Sequence, residues 1–188
     1  GIEAYAVGGM VRDVLLGRST TDLDFVTVGP GTGIALAEAV GEELGGRTAH
    51  VYPKFGTAAI RIPAEEALPD GHPDDALVLE FVAACTESYR SDSRKPIVED
   101  GTLEDDQYRR DFTVNAMAIH LTPDRFGELI DPFDGRRDLE RRTIDTPLDP
   151  EDTFEDDPLR MIRAARFATQ LEFRVSDRVF DAMGTQAY

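Results

Sequence analysis

The sequence predicts an α/β domain followed by an α-helical segment. Strand-length apolar runs alternate with helical spacing as far as residue 148, and from Asp149 the pattern is helical throughout. A short apolar strand turns through Gly8-Gly9 into a helix, and the next strand carries Asp22 and Asp24 one residue apart. The hydrophobic content of 41% suits a packed core.

Residues 3–7 read as the first strand. Residues 10–16 follow as a helix, with Val11, Val14 and Leu15 at helical spacing and Gly17 closing it. Residues 23–28 form a second strand, and the helix at 34–44 ends on Gly45-Gly46. Residues 48–52 and 55–62 read as two strands joined by a turn at Pro53-Lys54. The stretch 63–75 is polar with Pro and Gly and reads as a loop, and 77–83 as a buried strand. Residues 88–106 are charged and without period, which predicts a long mobile loop of the kind that is often functional. Residues 111–121 begin with helical character and end as a strand, 129–131 is a short strand, and Asp134-Gly135 turns into a charged helix at 136–142. Leu159–Leu171 is one helix and 177–183 begins another. The expected boundary divides 1–148 from 149–188. A chain that opens just before the Gly-Gly turn and stops inside helical sequence is expected to be a fragment of a longer protein.

Strand side chains alternate, so Asp22 and Asp24 share one face while Leu23 and Phe25 share the other. The helix after Gly8-Gly9 offers unpaired N–H groups and a positive dipole end, which suit phosphate. The paired carboxylates suit hard divalent cations such as Mg²⁺. Alone, Gly-Gly is a tight turn and each aspartate a solvated strand residue; together they make the layout that phosphoryl or nucleotidyl transfer needs. Glu80, inside the apolar run 77–83, is either a paired or metal-bound acid or a water-facing residue of an edge strand. His120, on an apolar stretch, reads as a structural histidine.

The formal net charge is −17, with 20 Lys and Arg against 37 Asp and Glu. That balance argues against nucleic acid as a partner. The arginines nevertheless cluster, at Arg109-Arg110, Arg136-Arg137, Arg141-Arg142 and then Arg160, Arg163 and Arg166, so a local basic surface fits on an acidic body. A high-salt cytoplasm, which screens self-repulsion, is one hypothesis for the acid excess. The lone Cys85 excludes a disulfide within the chain. No apolar run approaches the ~18 residues of a membrane span, so the default location is cytoplasmic.

Four ordered stretches, GGMVRDVLLG with TDLDF, RRDFTVNAMA, DPFDGRRDLE and EDDPLRMIRAARF, resemble the class II tRNA nucleotidyltransferase (CCA-adding) and bacterial poly(A) polymerase family of the DNA polymerase β superfamily. The resemblance covers nearly the whole chain. It implies a polymerase-β-like nucleotidyltransferase head with a mixed sheet flanked by helices, followed by the start of a helical neck. It implies that Asp22 and Asp24 hold two Mg²⁺ ions, with Glu80 a candidate third ligand, and that partners are a tRNA or other RNA 3′ end with CTP and ATP. Gly8, Gly9 and Arg12 would meet the nucleotide's phosphates, with Asp13 holding Arg12 in place. Arg110 would contact the nucleotide, Asp111 would accept from the ribose 2′-hydroxyl, and Asn115 would support the loop. Asp157, Arg160, Arg163 and Arg166 recur every three residues and so lie near one another on the last motif's helix, where they would bind the nucleotide. Leu159, Ile162 and Phe167 are expected to face the core, and Asp157 before Pro158 also looks like a helix cap.

Cys85 stands where relatives usually carry arginine at the entrance to the mobile loop, so loop closure is expected to be weaker. CCA addition leads among the functions because HVYPKFGTAAI lacks the arginine cluster usual in poly(A) polymerases. Poly(A) synthesis and addition of CC alone or of A alone stay open, although the long 88–106 loop argues against CC-only addition. A non-catalytic nucleotide- or RNA-binding module is the alternative of a different class.

Overall fold

The computed structural model describes residues 1–67, 76–88 and 97–186. In chain order the elements are β1 (Ala4–Val7), α1 (Gly9–Leu15), β2 (Asp22–Thr27), α2 (Thr32–Glu43), β3 (His50–Tyr52), β4 (Thr57–Pro63), α3 (Ala64–Ala67), β5 (Ala76–Ala83), β6 (Cys85–Ser88), β7 (Ile97–Asp100), α4 (Leu103–Tyr108), β8 (Ala118–His120), β9 (Leu129–Ile130), α5 (Gly135–Arg141), β10 (Thr143–Ile144), α6 (Pro150–Asp156), α7 (Leu159–Leu171), β11 (Arg174–Val175) and α8 (Asp177–Gln186). Single 3₁₀ turns lie at Pro53–Phe55 and Thr113–Asn115.

Seven strands form one mixed sheet in the order β3-β4-β5-β2-β1-β8-β9. Only β2 and β5 run parallel in it. One row of register partners crosses the whole sheet: His50, Ala59, Glu80, Asp24, Val7, Ala118 and Ile130. Register partners point to the same side, so this row defines one face. Towards β1 that face is covered by Leu103 of α4, which packs with Tyr5, Val7, Val26 and Ala118. The opposite face carries Leu23, Phe25, Ala58, Ile60, Leu79 and Phe81 against Ala37 and Val40 of α2. The alternation read from the sequence therefore holds: apolar residues on one side of β2, carboxylates on the other.

The largest cluster joins Ala6 and Val11 to Phe112, Val114, Ile144, Ala164, Phe167 and Leu171. Residues on either side of position 148 thus share a core, and β10 pairs in parallel with β11 across it.

Several sequence expectations change. Glu80 is not on an edge strand: β5 lies between β4 and β2, yet its side chain is exposed because that part of the face is open. The loop expected at 88–106 takes in the last residue of β6, the whole of β7, which pairs antiparallel with β6, and the first residues of α4. α4 is nucleated by a capping box, in which Thr102 accepts from the Asp105 N–H and Asp105 accepts in return from the Thr102 N–H. Residues 89–96 of that stretch and 68–75 of the other expected loop lie outside the described residues, and α3 opens the latter. Leu159 and Ile162 do not face the core; they are 64% and 70% exposed, while Ala164, Phe167 and Leu171 form the buried stripe. His120 is structural, with its ring edge-on to Tyr5 and hydrogen-bonded to Thr122. Among the described residues no helix is long and apolar enough to cross a membrane.

Candidate functional site

β1 ends at Val7, and Gly8 takes the chain into α1 with φ 71° and ψ −140°. L side chains rarely adopt that conformation, and the space is taken as well: a Cβ there would lie 2.8 Å from Arg110 Nη1 and 3.4 Å from Asp24 Oδ2. Gly8 therefore permits Arg110 and Asp24 to close on the first turn of α1. The Arg12 N–H donates to Gly8 O at 3.3 Å, within that turn.

Around this turn opens a cleft of about 760 Å³, lined by Gly8, Gly9, Arg12, Asp22, Asp24, Glu80, Arg110, Asp111, Asn115, Arg163, Arg166 and Phe167 among others. Asp24 and Glu80 are register partners on adjacent strands, and Asp22 is one pleat along. Burial raises the Asp24 carboxyl above its ordinary value; Arg110 opposes the rise, while Glu80, Asp22 and Asp106 add to it. A cation would relieve this crowding. The oxygen donors suit a hard divalent ion, although among the described residues no three His, Cys, Asp or Glu side chains converge closely enough to hold one.

Two ion-pair systems fix the cationic wall. Asp106, fully buried, accepts from Arg109 Nη2 and from Arg110 Nε and Nη2, the latter two at 2.8 and 2.7 Å. Arg12 donates to both oxygens of Asp13 at 2.9 Å and to Asn115 Oδ1 at 2.7 Å. Asn115 in turn donates to Asp111 Oδ1 at 3.0 Å, and Asp111 Oδ2 accepts from Arg163 Nε and Nη2 at 2.8 and 2.6 Å. The guanidinium carbons of Arg12, Arg163 and Arg166 stand 5.3, 5.4 and 4.8 Å from the centre of the Phe167 ring, within cation–π range.

Asp157 and Arg160 do not join the main cleft. They line an adjoining cavity of about 380 Å³ that shares Arg110, Asp111 and Arg163 with it. Asp157 Oδ1 accepts from the Leu159 N–H at 3.0 Å, as a cap would. Arg160 donates to the carbonyls of Arg109 at 2.7 Å and Thr153 at 3.3 Å. Asp106 and Phe167 carry no site signal in the sequence; the Thr102 capping box four residues before Asp106 is the available signal for the helix that carries it.

Residues 4–145 match the model of the poly A polymerase head domain. The chain belongs to this family. Among its relatives, an A-adding tRNA nucleotidyltransferase of Aquifex aeolicus is 42% identical over 175 residues, covering 93% of this chain and 19% of the relative. A CCA-adding enzyme of Bacillus pumilus is 38% identical over 185 residues, covering 97% and 40%. The crystal structure of a tRNA nucleotidyltransferase complexed with a primer tRNA and an incoming ATP analogue superimposes with a TM-score of 0.78 at 37% identity, over 98% of this chain and 46% of that one. The structure of a CCA-adding enzyme with ATP gives 0.76 at 34%, over 99% and 38%. The chain thus spans about a fifth to under half of these relatives. The fold is the polymerase-β-like head, as the sequence motifs imply.

Proposed function

We propose that this head domain transfers nucleotides to a tRNA 3′ end, adding CCA from CTP and ATP. The observation that carries the reading is one cleft that joins the Asp22–Asp24 pair to the Gly8 turn and to Arg12, Arg110 and Arg163. Asp22 and Asp24 would hold two Mg²⁺ ions together with the nucleotide's phosphates, since Mg²⁺ is commonly bound by one or two carboxylates plus substrate phosphates, and Glu80, beside Asp24 on β5, is a candidate further ligand. Divalent cations so placed activate a hydroxyl nucleophile and neutralise charge at the transferred phosphoryl group.

The protein's own part is positioning. The Gly8–Gly9 turn and Arg12 receive the phosphates, with Arg12 held in plane by Asp13 and Asn115. Arg110, anchored on Asp106, faces the same turn and offsets charge beside Asp24. Asp111 anchors Arg163 and, through Asn115, Arg12, and would accept from the ribose hydroxyl when Arg163 gives up its place. Arg166 adds a cation beside Phe167. Asp157 and Arg160 form the base-reading pair of the adjoining cavity. We assign 1–148 to the catalytic head and 149–188 to the start of a nucleotide-recognition neck. α7 packs on the head's core and so carries Arg163 and Arg166 to the cleft, with Asp157 and Arg160 at the adjoining cavity.

Addition of A alone is the second reading, favoured by the 42% identical A-adding relative. Incubation with tRNA transcripts ending before CCA, before CA and before A, each with one nucleotide at a time, separates the two. CTP incorporation into the first transcript is expected. Incorporation of ATP only, and only into the last, selects the A-adding reading, and no incorporation at all rejects both.

A further inference from the structure

The face of the sheet that bears Asp22, Asp24 and Glu80 does not end at Glu80. Register carries it two strands further, to the β3–β4 edge. Glu80 sits beside Ala59 and Ala59 beside His50; Asp22 sits beside Val78 and Val78 beside Arg61; Thr57 pairs with Tyr52. His50, Tyr52, Thr57, Ala59 and Arg61 therefore look out on the same side as the carboxylates. None of the five is buried, while Ala58, Ile60 and Ile62 on the reverse side of β4 are at most 8% exposed. Tyr52 is 52% exposed, and Phe55, in the turn beyond it, 77%.

The charge here runs against that of the molecule. Residues 47–63 contain Arg47, His50, Lys54 and Arg61 and no Asp or Glu, in a chain with 37 acidic residues. Arg47 is ion-paired with Glu66, whereas Arg61 has no hydrogen-bond or ion-pair partner among the described residues. A polyanion approaching this acidic chain meets, on β3 and β4, two strands that have no acidic residue of their own and bear an exposed aromatic. Cations that track a backbone beside an aromatic ring on which bases stack are the elements of single-strand binding. Strands lie about 4.8 Å apart, so His50 is about 14 Å from Asp24 across the sheet, the length of a few stacked nucleotides.

We propose that the β3–β4 edge is a platform for the single-stranded 3′ end of the acceptor RNA, with Tyr52 stacking on a base and Arg61 and His50 meeting phosphates. The platform leads that end along the sheet to the carboxylates from the side opposite α1 and α7, where the nucleotide binds. The proposal rests on the nucleotidyl-transfer reading for its choice of RNA.

Fluorescence anisotropy with a short labelled single-stranded RNA tests it, with CTP binding followed by calorimetry in parallel. Tyr52→Ala is expected to weaken RNA binding about tenfold, the scale of losing one base stack, while Tyr52→Phe retains it. Arg61→Ala is expected to weaken binding and lower the salt dependence by about one phosphate contact. Neither changes CTP affinity, and Phe180→Ala, an exposed aromatic on α8, changes nothing. Equal RNA affinity in wild type and the Tyr52→Ala/Arg61→Ala variant overturns the platform, as does a wild-type chain that binds no RNA. RNA binding that depends on Tyr52 in a chain that binds no nucleotide retains the platform and rejects the transfer reading instead.

Discussion

Arg163 of α7 and Asp111 of the head meet across 52 residues of chain, with both Nε and Nη2 of the arginine on one carboxylate oxygen, at 2.8 and 2.6 Å. The other oxygen accepts from the Phe112 N–H and from Asn115. A carboxylate has about four acceptor sites, so Asp111 is saturated. A ribose hydroxyl reaches it only by displacing a donor, and Arg163, 43% exposed on its side chain, is the one free to leave. Removing it leaves a buried carboxylate short of two charge-assisted bonds. Arg163→Ala is therefore expected to lower unfolding free energy by about 1–2 kcal/mol, and Arg166→Ala, whose guanidinium only lies over Phe167, by less. Urea denaturation of the two variants compares them; equal losses contradict the assignment.

Asn115 bridges Arg12 and Asp111 by hydrogen bonds. It is 6% exposed, and truncation strands an N–H of Arg12 and an acceptor of Asp111. Asn115→Ala is expected to cost about 1–3 kcal/mol and to raise the Kd for Mg²⁺–CTP, since Arg12 loses one of its two anchors. Calorimetry showing unchanged nucleotide affinity would reduce Asn115 to a packing residue.

Asp138 in α5 has its carboxyl pushed above the ordinary value by burial, with Thr113 donating to it in opposition and Asp145 adding to the rise. A folded-state pKa above the unfolded one means that the folded protein binds more protons, so this group's contribution improves as pH falls through the folded value towards about 3.9 and is unfavourable above it. Asp138→Asn keeps an acceptor for Thr113 and removes the charge. It is expected to raise Tm at neutral pH, with the gain shrinking as both forms become neutral in acid. A gain that does not depend on pH contradicts the argument.

Base choice is expected to depend on Asp157 and Arg160. Cytosine and adenine each present an amino donor beside a ring-nitrogen acceptor, the complement of a carboxylate beside a guanidinium, whereas uracil and guanine present the reverse. Both residues now bond backbone groups, Asp157 to the Leu159 N–H and Arg160 to two carbonyls, so reading a base requires exchanging these bonds. Each mismatched buried pair costs about 1–3 kcal/mol. Asp157→Ala should relax the preference for CTP and ATP over UTP and GTP more than it slows the best nucleotide. Undiminished discrimination in single-turnover incorporation would leave Asp157 as a helix cap alone.

The parts of this fold legible in the sequence are those with strong local periodicity. The carboxylates of β2 and the apolar face behind them follow from a period of two, and the α2 stop follows from Gly45-Gly46, both at positive φ. Glu80 was ambiguous because a run of strand residues does not reveal its neighbours; only the β4-β5-β2 order shows it beside Asp24. α4 was hidden because its sequence, LEDDQY, buries Leu103, Asp106 and Gln107, two of them polar, and polar burial leaves no hydrophobic period. Leu159 and Ile162 show the converse: apolar residues at helical spacing point outward on α7, while small Ala164 faces the core. The links among Arg12, Asn115, Asp111 and Arg163 are long-range, and no spacing rule encodes them.

Nucleotide transfer is expected to depend on Asp22 and Asp24. Asp22 is exposed and Asp24 half-buried on the polar face of β2, so replacing either with alanine removes little apolar packing. Single-turnover incorporation of CTP into a tRNA transcript lacking CCA, measured across a Mg²⁺ titration with thermal melts alongside, is the most direct test. The account predicts that Asp22→Ala and Asp24→Ala each lose more than about a hundredfold in rate, the scale of losing charge stabilisation at the reacting centre, with Tm near that of the wild type. Near-normal turnover with an unchanged Mg²⁺ dependence in either variant would contradict it.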